Sequence, residues 1–181
     1  MLGSSTGYDR VVSESTEQHR RAASDRKCLC AVVTVSDSRG PENDNGGDLI
    51  VKNLRQAGHT VVDRRWVRDE PEEIGKLISE LLQKGEAQLI VTTGGTGIST
   101  RDTTVEVVER FLDKRLDGFG ELFRMLSWEE IGAAAMLSRA VAGLAHGVFI
   151  FSLPGSAAAV RLAMERLVIP ELPHLVWERG R

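Results

Sequence analysis

Apolar and polar positions alternate along this chain in two rhythms, and between residues 28 and 116 the two rhythms follow each other three times. Residues 28–35 (Cys28-Leu29-Cys30-Ala31-Val32-Val33-Thr34-Val35) form a nearly continuous apolar run, the sign of a strand covered on both faces. A polar loop follows, and residues 48–57 then place Ile50, Leu54 and Ala57 on one helical face, with Gly58 as a stop. The second cycle is a strand over 60–67 and an amphipathic helix over 73–84. Pro71 falls in the first turn of that helix, Asp69 or Glu70 lies near the cap, and Gly85 marks the end. The third is a strand over 88–93, a loop, and a helix over 105–116 with Val107, Val108, Phe111 and Leu112 as its stripe.

Strand–helix three times over predicts a parallel, doubly wound α/β sheet with right-handed crossovers. Beyond residue 116 the pattern is less regular. Ser127 is placed to cap a helix from Trp128, with Glu130 completing a capping box. Strands are predicted over 140–145 and 148–153 with a turn at Gly147, and helices over 157–167 and from Pro170.

Composition changes this picture little. Of 181 residues, 41% are hydrophobic and 27% charged, as in ordinary globular domains. A net charge of -3 argues against a general nucleic-acid binder. No apolar run is long enough for a membrane span. Residues 1–26 read as a polar, disordered tail without a signal peptide, and residues 27–181 as one domain. Cys28 and Cys30 form no zinc or disulfide framework; on a strand they face the same side. The expected location is cytoplasmic. The four histidines are scattered, and neither a nucleophile elbow nor a Walker A loop occurs.

The candidate chemistry concentrates in residues 92–104, where a strand runs through Gly94, Gly95 and Gly97 among many hydroxyls, and through Arg101-Asp102, into a helix. This loop reads either as an anion site or as a plain tight turn. In a parallel sheet the carboxyl ends of the strands share one edge, so Ser36-Asp37, Arg68-Asp69 and the residues from Thr93 to Asp102 converge. Pro154-Gly155-Ser156 joins them if the strand before it is parallel.

Six stretches in order, Val35-Ser36-Asp37-Ser38-Arg39, Thr92-Thr93-Gly94-Gly95-Thr96-Gly97, Arg101-Asp102-Thr103, Gly118-Phe119-Gly120-Glu121-Leu122-Phe123-Arg124, Ser138-Arg139-Ala140 and Leu153-Pro154-Gly155-Ser156, resemble the MoaB/Mog family of molybdenum cofactor biosynthesis, closest to its MoaB branch. The resemblance implies a three-layer α/β/α sandwich with a mostly parallel, doubly wound central sheet. It implies adenylylation of molybdopterin by Mg-ATP, with Asp69 and Asp102 as the catalytic and Mg²⁺-holding residues. It implies a pterin and nucleotide site of Ser36, Asp37, Thr93, Gly94, Gly95, Thr96, Gly97, Glu121, Ser138, Arg139, Pro154, Gly155 and Ser156. Its expected partners are molybdopterin, ATP, other enzymes of cofactor biosynthesis and further copies of the chain in a homotrimer or hexamer (a dimer of trimers). The alternative is a MoaB-like protein that binds pterin with little or no catalysis. Gly46-Gly47 and Ala157 depart from the family pattern.

Overall fold

The computed structural model describes residues 26–179; the expected tail lies, but for Arg26, outside the described residues. The strands are β1 (Leu29–Val35), β2 (Thr60–Val67), β3 (Leu89–Thr93), β4 (Lys114–Arg115), β5 (Val141–Ala145) and β6 (Val148–Leu153). The helices are α1 (Asn45–Gln56), α2 (Pro71–Lys84), α3 (Thr104–Glu109), α4 (Asp117–Ile131), α5 (Ala157–Ala163) and α6 (Ile169–Arg179). The strands form one sheet in the order β2-β1-β3-β6-β5-β4. The β1–β2, β1–β3 and β3–β6 pairs are parallel, while β5 is antiparallel to both neighbours.

The strand period of two divides the core. Cys28, Cys30 and Val32 point into a cluster with α1, α4, α5 and α6. Ala31, Val33 and Val35 point to the other face, where Ile74, Leu77, Ile78 and Leu81 of α2 and Val107 and Val108 of α3 cover them. Each fully buried Ile or Leu contributes about 2 kcal/mol. The sheet is thus the middle of three layers, as expected, and both cysteines share a face. Among the described residues no helix is long and apolar enough to cross a membrane.

The strand–helix cycles fall where periodicity puts them. Pro71 opens α2 after Glu70, and Gly85, with φ of 65°, returns its N–H to the Leu81 carbonyl. Elsewhere the elements differ from expectation. Asp44, N-capping through the Gly47 amide, starts α1 three residues early. The helix expected over 105–116 ends at Glu109, because Asp113 and Leu116 donate their amides to Leu144 and Ala142 and draw β4 onto the edge of β5. Ser127 caps nothing: it is buried inside α4, whose inward stripe of Phe119, Phe123 and Leu126 continues through it. Gly120 lets that helix lie against β5, since a Cβ there would sit 2.8 Å from the Ala140 carbonyl oxygen. The helix after Ser156 passes through one π-helical turn at Met164–Val168 before α6.

Candidate functional site

A cleft of about 540 Å³ opens where β1, β2, β3 and β6 end. The order β2-β1-β3 reverses the direction of winding at β1, the position where open α/β sheets receive ligands. β1 delivers Ser36, Asp37 and Arg39; β2 delivers Asp69; β3 delivers the Gly94–Gly97 turn and Asp102; β6 delivers Pro154 and Gly155. Leu137, Ser138 and Arg139 enter from the chain preceding β5.

The glycines here are required by close approach. Gly94 has φ of 99°, and its amide donates to the Leu153 carbonyl at 3.1 Å; a side chain there would collide with the Val35 carbonyl. Gly95 has φ of 61°, and a Cβ would meet the Thr104 hydroxyl and lie 2.7 Å from Asp69 Oδ2. The loop backbone is therefore pressed against Asp69.

Two carboxylates in the cleft have opposite surroundings. Asp69 Oδ1 is buried and accepts no hydrogen bond among the described residues. Burial, then the charges of Asp102 and Asp37, push its carboxyl above the ordinary value, against the Thr103 amide and Arg101. Asp102 Oδ2 accepts the Ser99 amide at 2.9 Å. Hydrogen bonding from Ser99 above all, helped by the Gly97 amide and Arg139, holds the Asp102 carboxyl below the ordinary value.

Three arginines reach the cleft or its rim, each with different partners. Arg101 donates to Asp37 Oδ2 and Glu70 Oε1, both at 2.9 Å. Arg139 donates to backbone carbonyls of the loop and pairs with Glu106. Arg39 donates to the Gly155 carbonyl at 2.9 Å. Among the described residues Arg39 pairs with no carboxylate, which leaves it the least neutralised cation in the cleft.

Of the residues expected at the site, Ser36, Asp37, Asp69, Gly94, Gly95, Thr96, Gly97, Asp102, Ser138, Arg139, Pro154 and Gly155 line this one cleft. Thr93 lies behind it, its hydroxyl donating to the Pro154 carbonyl at 3.1 Å and tying two strand ends together. Ser156 accepts the Ala159 amide and caps α5. Glu121 stands apart, on α4 in a separate groove with Arg115, Gly120 and Arg124. Arg39 and Leu137 line the cleft without having been singled out. Arg39 belongs to the Val35–Arg39 stretch that carries the family resemblance, but its polar loop gives no sign that it is the cleft's least neutralised cation, and Leu137, at the end of a 3-10 turn, carries no local mark of its place. Among the described residues no group of three or more His, Cys, Asp or Glu side chains is arranged to hold a metal by itself.

A family model described as "Probable molybdopterin binding domain" matches residues 31–174. The molybdenum cofactor biosynthesis protein B of Bacillus cereus is 44% identical over 168 residues, which cover 92% of this chain and 99% of that protein. A crystal structure of a molybdenum cofactor biosynthesis protein B superposes with a TM-score of 0.84 at 45% identity, covering 86% of this chain and 98% of its own. A tungsten cofactor synthesizing protein MoaB from Pyrococcus furiosus superposes with a TM-score of 0.79 at 38% identity, covering 86% and 99%.

Proposed function

The chain belongs to the MoaB/Mog family of molybdenum cofactor biosynthesis, and on that premise we propose that it transfers AMP from ATP to the terminal phosphate of molybdopterin. The observation that carries this reading is one cleft whose lining brings together the glycine–threonine loop, Arg39 and Asp69, whose buried Oδ1 has no hydrogen-bond partner among the described residues. A pocket that holds carboxylates against anion donors suits a substrate bringing both phosphates and a cation.

Molybdopterin phosphate oxygen attacks the α-phosphorus of ATP, a P–O bond forms, the bond to the β-phosphate oxygen breaks, and pyrophosphate leaves. The nucleophile is already an anion, so the protein needs to align two anions rather than remove a proton. The backbone of Gly95 and Thr96 and the guanidinium of Arg39 meet phosphate oxygens. Ser36 and Ser138 line the substrate's path. Asp69, with Asp102, fits Mg²⁺: one or two carboxylates and substrate phosphates are its usual ligands. Burial first, and then the neighbouring charges of Asp102 and Asp37, raise the Asp69 carboxyl, and a bound cation would offset both. When bound, Mg²⁺ offsets charge on the reacting phosphates.

Copies of this chain are proposed to pair through α4, where Leu122, Met125 and Trp128 are 47%, 55% and 62% exposed in one row. Light scattering on a sizing column tests for a trimer or hexamer.

The activity test is incubation of the purified protein with molybdopterin and Mg-ATP. Adenylylated pterin and pyrophosphate are expected. Pterin binding with no pyrophosphate, where a proven adenylyltransferase releases it, favours a pterin-holding protein and ends the enzyme reading.

A further inference from the structure

Residues 96–102 form an excursion between β3 and α3 that is exposed from Gly97 to Arg101, yet they carry Asp102 into the cleft. What holds this excursion in place is long-range. Arg139, half-buried, lies just before β5, and its guanidinium spans the base of the loop. Nε donates to the Thr96 carbonyl at 3.0 Å, where the loop departs. Nη2 donates to the Asp102 carbonyl at 3.1 Å, where it returns. The outer edge of the same guanidinium meets Glu106 of α3 through two contacts: Nη1 with Oε1, and Nη2 with Oε2 at 3.2 Å. Inside the loop, the Asp102 carboxylate accepts the Ser99 amide, so its direction depends on where the loop's two ends stand.

We propose that Arg139 is a positioning residue, a staple closing the 96–102 loop, with Glu106 as its orienter, rather than a group that contacts phosphate. The planar fork is the reason an arginine is needed. Its N–H groups diverge at fixed angles, so one side chain reaches two carbonyls and a carboxylate at once. A lysine ammonium at the same place has no such geometry. With these donors engaged, Arg139 presents little to a substrate anion, unlike Arg39. The effect on turnover rests on the adenylyl-transfer reading; the effect on the loop does not.

The test is amide hydrogen exchange on the full chain, read over residues 97–104, in wild type, Arg139→Lys, Arg139→Ala and Glu106→Gln. Local opening should speed exchange there by about tenfold or more in the alanine and lysine variants, and by less in Glu106→Gln, with the β-sheet amides unmoved. Guanidinium added at millimolar concentration should slow exchange in Arg139→Ala again, while an equal ionic strength of NaCl should not. In the transfer assay kcat should fall by about tenfold in Arg139→Ala while KM for ATP moves less than about threefold, the pattern of lost positioning. Unchanged exchange over 97–104 in Arg139→Ala overturns the staple. A raised KM with unchanged kcat makes Arg139 a substrate contact and overturns the positioning role. If Arg139→Ala does not fold, Glu106→Gln reads the same staple from its other side, and wild-type exchange in that variant removes Glu106. Should wild type release no pyrophosphate, the enzyme reading falls and the exchange result still decides the staple.

Discussion

The two walls of the cleft hold their carboxylates by opposite means. At the end of β2, Asp69 is half-buried, one oxygen is buried without a hydrogen-bond partner among the described residues, and its carboxyl is raised. In the loop after β3, Asp102 is met by backbone amides and its carboxyl is lowered. An under-solvated carboxylate with an oxygen to spare is ready for a cation. One already satisfied by its own loop shapes that loop first and reaches outward second. On the proposed reading, the difference separates a carboxylate open to a cation from one whose reach depends on local order.

Substitutions can break this contrast. Asp69→Asn is expected to have the largest effect, lowering turnover by about 10²-fold or more by removing charge stabilisation at the phosphates. Its melting temperature at pH 7 should stay level or rise. A raised folded-state pKa means the folded protein holds the proton more tightly than the unfolded chain. The ionised group therefore costs stability at neutral pH, and that cost disappears as pH falls through the folded value towards 3.8. A clear loss of melting temperature in Asp69→Asn would erase the contrast.

Asp102→Asn should also lower turnover, by about 10- to 100-fold through misplacement, with the oligomer intact. Its stability signature has the other sign. A lowered folded-state pKa contributes stability that is present above 3.8 and lost as pH falls through the folded value. Asp102→Asn should therefore melt below wild type at pH 7, with the gap closing in acid below 3.8. Wild-type turnover by this variant would take Asp102 out of the mechanism.

Gly97→Ala sharpens the point without touching charge. Its Cβ would lie 2.6 Å from Asp102 Oδ2. Turnover should drop by about tenfold with Asp69 unaffected, since only the loop wall is displaced. The smallest effect is expected at Arg101. Its pairs with Asp37 and Glu70 are about half exposed, and Arg101→Ala should cost within about 1 kcal/mol in urea unfolding. A larger cost would mean that the rim, and not the loop base, holds the cleft together.

The periodicity of residues 28–93 maps onto the structure closely because its causes are local. A strand buried on both faces needs a continuous apolar run, as in β1 and β3, and an amphipathic helix needs a stripe, as in α2. Pro71 and Gly85 punctuate α2 through their own backbone limits. The far edge of the sheet read less well for the converse reason. β4 is two exposed residues, Lys114 and Arg115, that exist as strand only because β5 offers a partner. Ser127 has the local pattern of a cap, but α4 is stabilised by Phe119, Phe123 and Leu126 against the sheet and runs through it. Tertiary packing outweighs a cap worth about 1 kcal/mol.

The site divides in the same way. That Ser36, Asp37, Asp69, Gly94 to Gly97 and Asp102 would share one edge followed from parallel winding, which is readable from the chain. That Glu121 faces another groove, that Arg39 has no carboxylate partner among the described residues, that Arg139 commits its fork to a loop base, and that Asp69 and Asp102 are shifted apart was decided by the tertiary structure alone. Hydrophobic period, glycine and proline act within a few residues and are written in sequence. Desolvation and the partner of a guanidinium depend on groups brought together from 31 to 116 residues away, and no local pattern carries them.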